Sequence, residues 1–372
     1  MKIICASSVT YGKEAFSILG DCQFPTESEI SPDTVATADA LITRSKTQLN
    51  ACLLGSSSVR FAGTCTAGID HAHLGELETL GISFASAPGC NANAVSEYVI
   101  AALLESPNFT FEGKTVGIIG HGQVGTRVDH KLSALGCRIL RNDPPKAQAG
   151  GLGPFVDLET LLRESDVVTL HVPLIEDGCY PTRNLLGDME IRKLKEGAIL
   201  INACRGEAIE TSSLIQARKR NRISWLVLDV WDPEPGIPVE LLSVTDIATP
   251  HIAGHSVEGK VNGTSQIRKQ LCAHFSLEAK GWNPELLLPP PKTAEVDLNG
   301  REGCEARLKE AVKACYDIRL DDRNLREPKG ELAERFVYLR RNYRNRREFS
   351  ATKLRGLKPV ELEIYRALGF CV

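Results

Sequence analysis

The chain has 372 residues, of which 42% are hydrophobic and 24% charged, and a formal net charge of -3. That length allows two or three ordinary globular domains. The near-neutral charge excludes a global attraction to nucleic acid or membrane, and no apolar run approaches a transmembrane length.

Met1-Lys2 leads directly into Ile3-Ile4-Cys5, which reads as a first strand rather than a signal peptide. A cytoplasmic protein is expected. The twelve cysteines are scattered, with no Cys-x-x-Cys pair, so a zinc or thioredoxin-like site lacks support and buried free thiols are expected. Cys204, beside a catalytic candidate, is also read as a packing residue. Residues 2–5, 40–43, 60–63 and 82–85 read as strands, and 13–19 and 73–80 as helices. This alternation predicts a parallel sheet covered by helices. Residues 91–105 read as a long helix, with Val95, Val99, Ala102 and Leu103 on one face and Pro107 as its stop.

The next strand runs into a glycine-rich turn, Val116-Gly117-Ile118-Ile119-Gly120-His121-Gly122-Gln123-Val124-Gly125. Gly120 permits the turn, Gly122 admits a pyrophosphate, and Gly125 lets the following helix pack close. That helix presents Val124, Val128, Leu132 and Leu135 on one face, and Gly136 ends it. Its N-terminus offers free N–H groups to phosphate oxygens. Asp143 follows the next strand, where a carboxylate can accept from both ribose hydroxyls and repel a 2′-phosphate, so NAD is favoured over NADP. Asp157 is the expected N-cap of a helix over 158–163. Residues 167–171, 198–202, 225–230 and 246–249 complete the strands, with polar residues at their C-terminal ends, the ligand-binding edge of such sheets. A Leu/Pro linker at 286–291 precedes several charged helices.

Three of the strand ends carry chemistry: Asn202-Ala203-Cys204-Arg205-Gly206, Asp229-Val230-Trp231-Asp232-Pro233-Glu234-Pro235, and Thr249-Pro250-His251-Ile252-Ala253-Gly254. Oxidation of a hydroxy acid needs a base for the hydroxyl proton, and His251 suits it. Glu234 can orient the imidazole and stabilise its charged form. Arg205 can grip the carboxylate by two prongs and polarise the forming carbonyl.

These segments resemble the D-isomer-specific 2-hydroxyacid dehydrogenases over roughly residues 1–285. Within that family, the resemblance narrows to a branch acting on a phosphorylated four-carbon acid. It rests on Arg44-Ser45-Lys46-Thr47, on 63–71 and 87–92, and on the tail segments Tyr316-Asp317-Ile318-Arg319, 339–343 and 346–349. The resemblance implies NAD-dependent oxidation of 4-phospho-D-erythronate to 2-oxo-3-hydroxy-4-phosphobutanoate in vitamin B6 biosynthesis. It implies an α/β fold: two Rossmann-like doubly wound parallel-sheet domains with a cleft between them, plus a smaller α+β C-terminal dimerisation domain. Residues 1–92 and 255–285 would form the substrate-binding domain, 93–254 the NAD-binding domain and 286–372 the dimerisation domain.

By position, the resemblance makes Arg205, Glu234 and His251 catalytic. Ser45 and Thr66 would contact substrate. Gly120, Gly122, Gln123, Val124, Gly125, Asp143, Ala203, Cys204, Arg205, Asp229 and Gly254 would line the dinucleotide. The chain departs from the family at three points: His255 stands where a substrate-contacting Tyr is usual, Val172 where a hydroxyl residue is, and 105–112 is shorter. The basic run Arg340, Arg341, Arg344, Arg346 and Arg347 reads either as a solvated helix face or as a phosphate ligand. In the second case Arg344 or Arg347 would reach a partner subunit's site. A D-3-phosphoglycerate or other 2-hydroxyacid dehydrogenase, or a non-catalytic NAD-sensing protein, are the competing readings. Neither nucleic acid nor membrane is an expected partner, and no metal is expected.

Overall fold

A computed structural model describes residues 1–151 and 153–372. The chain forms two compact units, Met1–Asn91 with Ser256–Pro289, and Ala92–His255 with Pro290–Val372.

The first unit is built on five parallel strands, β1 (Lys2–Cys5), β2 (Asp21–Gln23), β3 (Ala40–Thr43), β4 (Phe61–Thr64) and β5 (Ser83–Ala85), in the order β2-β1-β3-β4-β5. Strands β3 and β4 are buried at every position, as a sheet covered on both faces requires. The helix Val257–His274 returns to this unit and places Ile267 and Leu271 in a core with Ile3, Ile42 and Phe61. It lies very close to the loop after β4, since a Cβ on Gly263 would stand 2.4 Å from the Cys65 carbonyl oxygen. The edge strand β2 escapes sequence reading because Asp21-Cys22-Gln23 has no apolar run to mark it. The expected helix 13–19 is shorter, Gly12–Phe16, because the chain must turn at Gly20 beneath the Met1 carbonyl.

The second unit holds six parallel strands, β6 (Thr115–Ile119), β7 (Arg138–Asn142), β8 (Val167–Leu170), β9 (Ala198–Asn202), β10 (Ile223–Leu228) and β11 (Ile247–Ala248), in the order β11-β10-β9-β8-β6-β7. The direction of winding reverses between β6 and β8, and open α/β sheets bind ligands outside such a switch point. Helix Ala92–Leu104 is buried on nearly every face and packs on helices Gln123–Ala134 and Cys304–Cys315. Asp157 caps Leu158–Glu164 by accepting from the Thr160 N–H at 2.8 Å. Strand β10 begins two residues before the expected 225, where Ile223 pairs with Ala198 of β9.

Residues 290–372 contribute helices Cys304–Cys315, Ile318–Arg326, Leu332–Arg341 and Leu362–Leu368, with a parallel pair β12 (Glu295–Asp297) and β13 (Lys353–Arg355). Leu308, Val312, Tyr316, Ile318 and Phe349 are buried in one cluster with Val99, Leu103 and Val128, so this tail closes the core of the second unit. Its own polar centre is Arg307, whose guanidinium donates to both Glu361 carboxylate oxygens at 2.9 Å and to the Leu298 carbonyl at 2.6 Å. No helix among the described residues is long and apolar enough to cross a membrane.

Candidate active site

The glycine-rich turn sits at the switch point. Gly120 has φ +86°, and a Cβ there would stand 2.5 Å from the His171 carbonyl oxygen. A Cβ on Gly125 would lie 2.1 Å from the Gly120 oxygen, so the helix Gln123–Ala134 approaches the strand only because this residue has no side chain. At Gly122 nothing lies within 4 Å of the missing Cβ, which leaves open space where a pyrophosphate would rest. Gln123 and Val124 open the helix. Asp143 caps Pro144–Gln148 through the Lys146 N–H, and its other oxygen accepts from the His121 N–H at 2.9 Å. The carboxylate is thereby fixed beside the turn. These residues fit a dinucleotide with an unmodified ribose. Val172, at the expected departure from a hydroxyl residue, packs against the core of this unit.

The catalytic candidates lie in the loops after β9, β10 and β11. Asn202 pins the first loop by donating to the Arg205 carbonyl at 2.8 Å and accepting from the Cys204 N–H at 3.1 Å. Arg205 opens a short 3₁₀ turn, and its guanidinium donates to the Cys204 carbonyl at 2.7 Å. Ala203 packs against the core, and Cys204 is buried, with a thiol that burial pushes above its usual range. A Cβ on Gly206 would lie 2.1 Å from the Trp231 carbonyl, so this loop locks against the one bearing Glu234.

His251 and Glu234 meet directly: Nδ1 is 2.9 Å from Oε2 and 3.1 Å from Oε1. Burial raises the Glu234 carboxyl, but the His251 hydrogen bond and charge, and then the Arg340 charge, hold it below its usual range. Its Oε1 also accepts from the Trp231 N–H at 3.1 Å. His251 adopts φ +55°, a strained conformation for a non-glycine residue that the surrounding contacts must maintain. They do so through Asp229: its carbonyl accepts the His251 N–H at 2.7 Å, and its carboxylate accepts from Ile252 and Ala253 N–H groups at 2.8 and 2.9 Å. Burial pushes the Asp229 carboxyl up, against the His251 charge and these hydrogen bonds. Thr249 donates to Asp229 at 2.6 Å and shares a hydrogen bond with the Tyr98 hydroxyl at 2.8 Å. The fully buried Trp231 donates its indole N–H to the Thr249 carbonyl at 3.0 Å. Gly254 ends this turn.

Of the three residues singled out in the sequence, the structure pairs Glu234 with His251, and it adds Tyr98, Thr249 and Trp231 as supports that the sequence did not mark. Of the two readings of the basic run, the solvated face holds at the exposed Arg341 but not at Arg346. Arg346 is fully buried, stacked 3.8 Å over the Tyr316 ring, and donates to the Ala253 and Ala94 carbonyls at 3.1 and 2.8 Å. The Arg344 guanidinium pairs with the buried Asp321 carboxylate. His255 meets the Tyr343 ring edge-on at 5.8 Å, while the Tyr343 hydroxyl donates to Asp321 at 2.8 Å. In the short connection, Glu105 pairs with Arg319 at 3.0 Å and Lys309 at 3.2 Å.

In the first unit, Ser45 is exposed just after β3, and the Thr66 hydroxyl donates to the Gly68 carbonyl at 2.9 Å and pairs with Thr64 at 2.8 Å. His71 lies 3.0 Å from Thr64, and burial lowers its pKa. Lys260, one turn before Gly263, is pushed down to about 8 by burial and the Arg44 charge.

A glycine-rich turn at a switch point, followed by an acid at the next strand end, defines a nicotinamide-dinucleotide dehydrogenase fold. The family model for "D-isomer specific 2-hydroxyacid dehydrogenase, NAD binding domain" matches residues 98–253, and "Domain of unknown function (DUF3410)" matches 287–369. Erythronate-4-phosphate dehydrogenase of Klebsiella pneumoniae (strain 342) is 41% identical over all of this chain and 98% of its own length. The protein of that name from Serratia proteamaculans (strain 568) is 42% identical over all of this chain and 99% of its own. The NAD+-bound 3-phosphoglycerate dehydrogenase structure from Entamoeba histolytica superposes with a TM-score of 0.63 at 25% identity, covering 74% of this chain and 95% of that one. The chain belongs to the erythronate-4-phosphate dehydrogenase family, a branch of the D-isomer-specific 2-hydroxyacid dehydrogenases. It is an NAD-dependent oxidoreductase.

Proposed function

We propose that the chain oxidises 4-phospho-D-erythronate to 2-oxo-3-hydroxy-4-phosphobutanoate, a step toward pyridoxal 5'-phosphate. The His251–Glu234 pair carries this reading. With Nδ1 held by the carboxylate, Nε2 is the nitrogen left to take the hydroxyl proton. Glu234 fixes the ring and stabilises the imidazolium that results. Arg205 grips the substrate carboxylate and draws electron density from the developing carbonyl. NAD, when bound, accepts the hydride from the carbinol carbon. Gly120, Gly122, Gln123, Val124 and Gly125 would hold it, together with Asp143, Ala203, Cys204, Arg205, Asp229 and Gly254. Ser45 and Thr66 bind substrate, with Arg44 and Lys260 as the cations for its phosphate.

We further propose a cytoplasmic homodimer formed through residues 286–372. The twelve free cysteines suit a reducing compartment, and Val337, Tyr338 and Val360 expose apolar surface on that segment. Sedimentation tests the assembly. The activity is tested by steady-state NAD reduction with 4-phospho-D-erythronate, set against 3-phospho-D-glycerate. A higher kcat/KM for the former supports the reading, and abolition by His251→Ala is expected. Full activity in that variant overturns the mechanism.

A further inference from the structure

We infer that Arg340, carried by the tail helix Leu332–Arg341, is a positioning residue that sets the charge and orientation of Glu234 against His251. The inference rests on the reading of His251 as the base and gives the tail a part in the chemistry.

The geometry is direct. Arg340 Nη1 lies 3.9 Å from Glu234 Oε2, the same oxygen that holds His251 Nδ1 at 2.9 Å. The Arg340 Nε is buried and has no hydrogen-bond partner. Its guanidinium lies 5.7 Å from the Phe336 ring centre, one turn earlier on the same helix. The nearby arginines are spoken for: Arg344 holds Asp321, and Arg346 holds the Ala253 and Ala94 carbonyls beside Glu97. Arg340 thus makes its ion pair with a catalytic candidate.

A carboxylate that faces only an imidazole favours the imidazolium, so the ring stays protonated to higher pH and less of it is free to take a proton at a given pH. A carboxylate shared with a guanidinium favours it less, because the second cation offsets part of its charge. The other charged groups around the pair are the Asp229 carboxylate beneath the His251 turn, Arg205 in the neighbouring loop, and Asp232 two residues before Glu234. Asp229 is occupied by Thr249, Ile252 and Ala253. Arg340 is placed to balance the Glu234 charge from outside the three catalytic loops. It comes from the segment matched by the domain of unknown function, 106 positions beyond Glu234, so the tail completes the pair within one chain.

The test compares pH profiles of kcat/KM for the full chain, Arg340→Gln, Arg340→Lys and His251→Ala with 4-phospho-D-erythronate and NAD. Loss of the guanidinium leaves the Glu234 charge uncompensated and favours the imidazolium. The acidic limb of the Arg340→Gln profile should therefore move up by roughly half a pH unit. On that limb its kcat/KM should fall about threefold at a given pH, while NADH affinity stays within twofold, which shows the nucleotide fold intact. Arg340→Lys should restore most of the wild-type profile. A superimposable Arg340→Gln profile, or a Lys variant no better than Gln, overturns the inference. Were Arg340→Gln not to fold, the Lys variant carries the test alone: its acidic limb must coincide with that of the wild type. Should His251→Ala keep full activity, the functional reading fails. Direct NMR titration of the His251 imidazole with and without Arg340 then decides this inference: a moved midpoint sustains it and an unmoved one overturns it.

Discussion

Replacing Glu234 by Gln isolates the charge from the shape of the His251 partner. A Gln side chain keeps an oxygen that can accept from Nδ1–H at the 2.9 Å separation, so the ring stays in place. What is lost is the attraction between carboxylate and imidazolium once the hydroxyl proton has been taken. Two unit charges with centres ~4 Å apart at an effective dielectric near 20 attract by about 4 kcal/mol. The side chains of His251 and Glu234 are 31% and 22% exposed, and solvent reaching them roughly halves that figure. A loss of about 2 kcal/mol in the transition state corresponds to a fall in kcat of roughly thirtyfold. The assay is steady-state NAD reduction at saturating cofactor, with NADH fluorescence titration as the control for folding. Unchanged NADH affinity with a ten- to hundredfold lower kcat is the expected pattern. A kcat within twofold of wild type would refute the argument that Glu234 acts through its charge.

Gly125→Ala should weaken NADH binding at least tenfold in a fluorescence titration, because its Cβ would stand 2.1 Å from a backbone oxygen that cannot step aside. Lys260→Met should raise KM for 4-phospho-D-erythronate while leaving kcat within threefold, and should leave NADH affinity unchanged; equal KM values would remove Lys260 from the phosphate site. Glu97 is fully buried, and burial first, then the Glu348 charge, raise its pKa from the ordinary 4.5 to about 8. The folded chain therefore keeps a proton that the unfolded chain has lost, so this group's contribution to stability is fully present below about pH 4.5 and is lost as pH rises to about 8. Melting temperatures of Glu97→Gln should accordingly fall less than those of wild type between these two pH values, and parallel slopes would contradict the assignment.

The nucleotide turn was legible because its constraints are local: Gly120 and Gly125 are demanded by atoms a few residues away in sequence or on the adjacent strand. The strand ends bearing Arg205, Glu234 and His251 were legible for a similar reason, since each follows a short buried run. The support of those side chains was not. Tyr98 reaches Thr249 across 151 positions, and nothing near either residue marks the contact. The tail misled because its charge pattern suggests solvent, whereas Arg346 is buried with carbonyl partners that only the folded chain brings to it. Strands β12 and β13 were hidden similarly: each is a single buried apolar residue, Val296 or Leu354, between charged ones.

The chain's winding also governs the order in which it becomes a protein. The first sheet is complete in sequence by residue 85, yet the helix that supplies Ile267 and Leu271 to its core comes about half a chain later. While the nascent chain emerges, that apolar face, with only Ala15 and Phe16 of the first helix on it, waits partly covered through synthesis of the whole second sheet. At roughly 5–20 residues per second, the wait lasts on the order of ten seconds or more. A chain cut short after β11 would carry a half-covered face on its first sheet and no tail to close the core of its second unit. Such fragments are the natural clients of chaperones and proteases, and full-length synthesis is the condition for either unit to be whole.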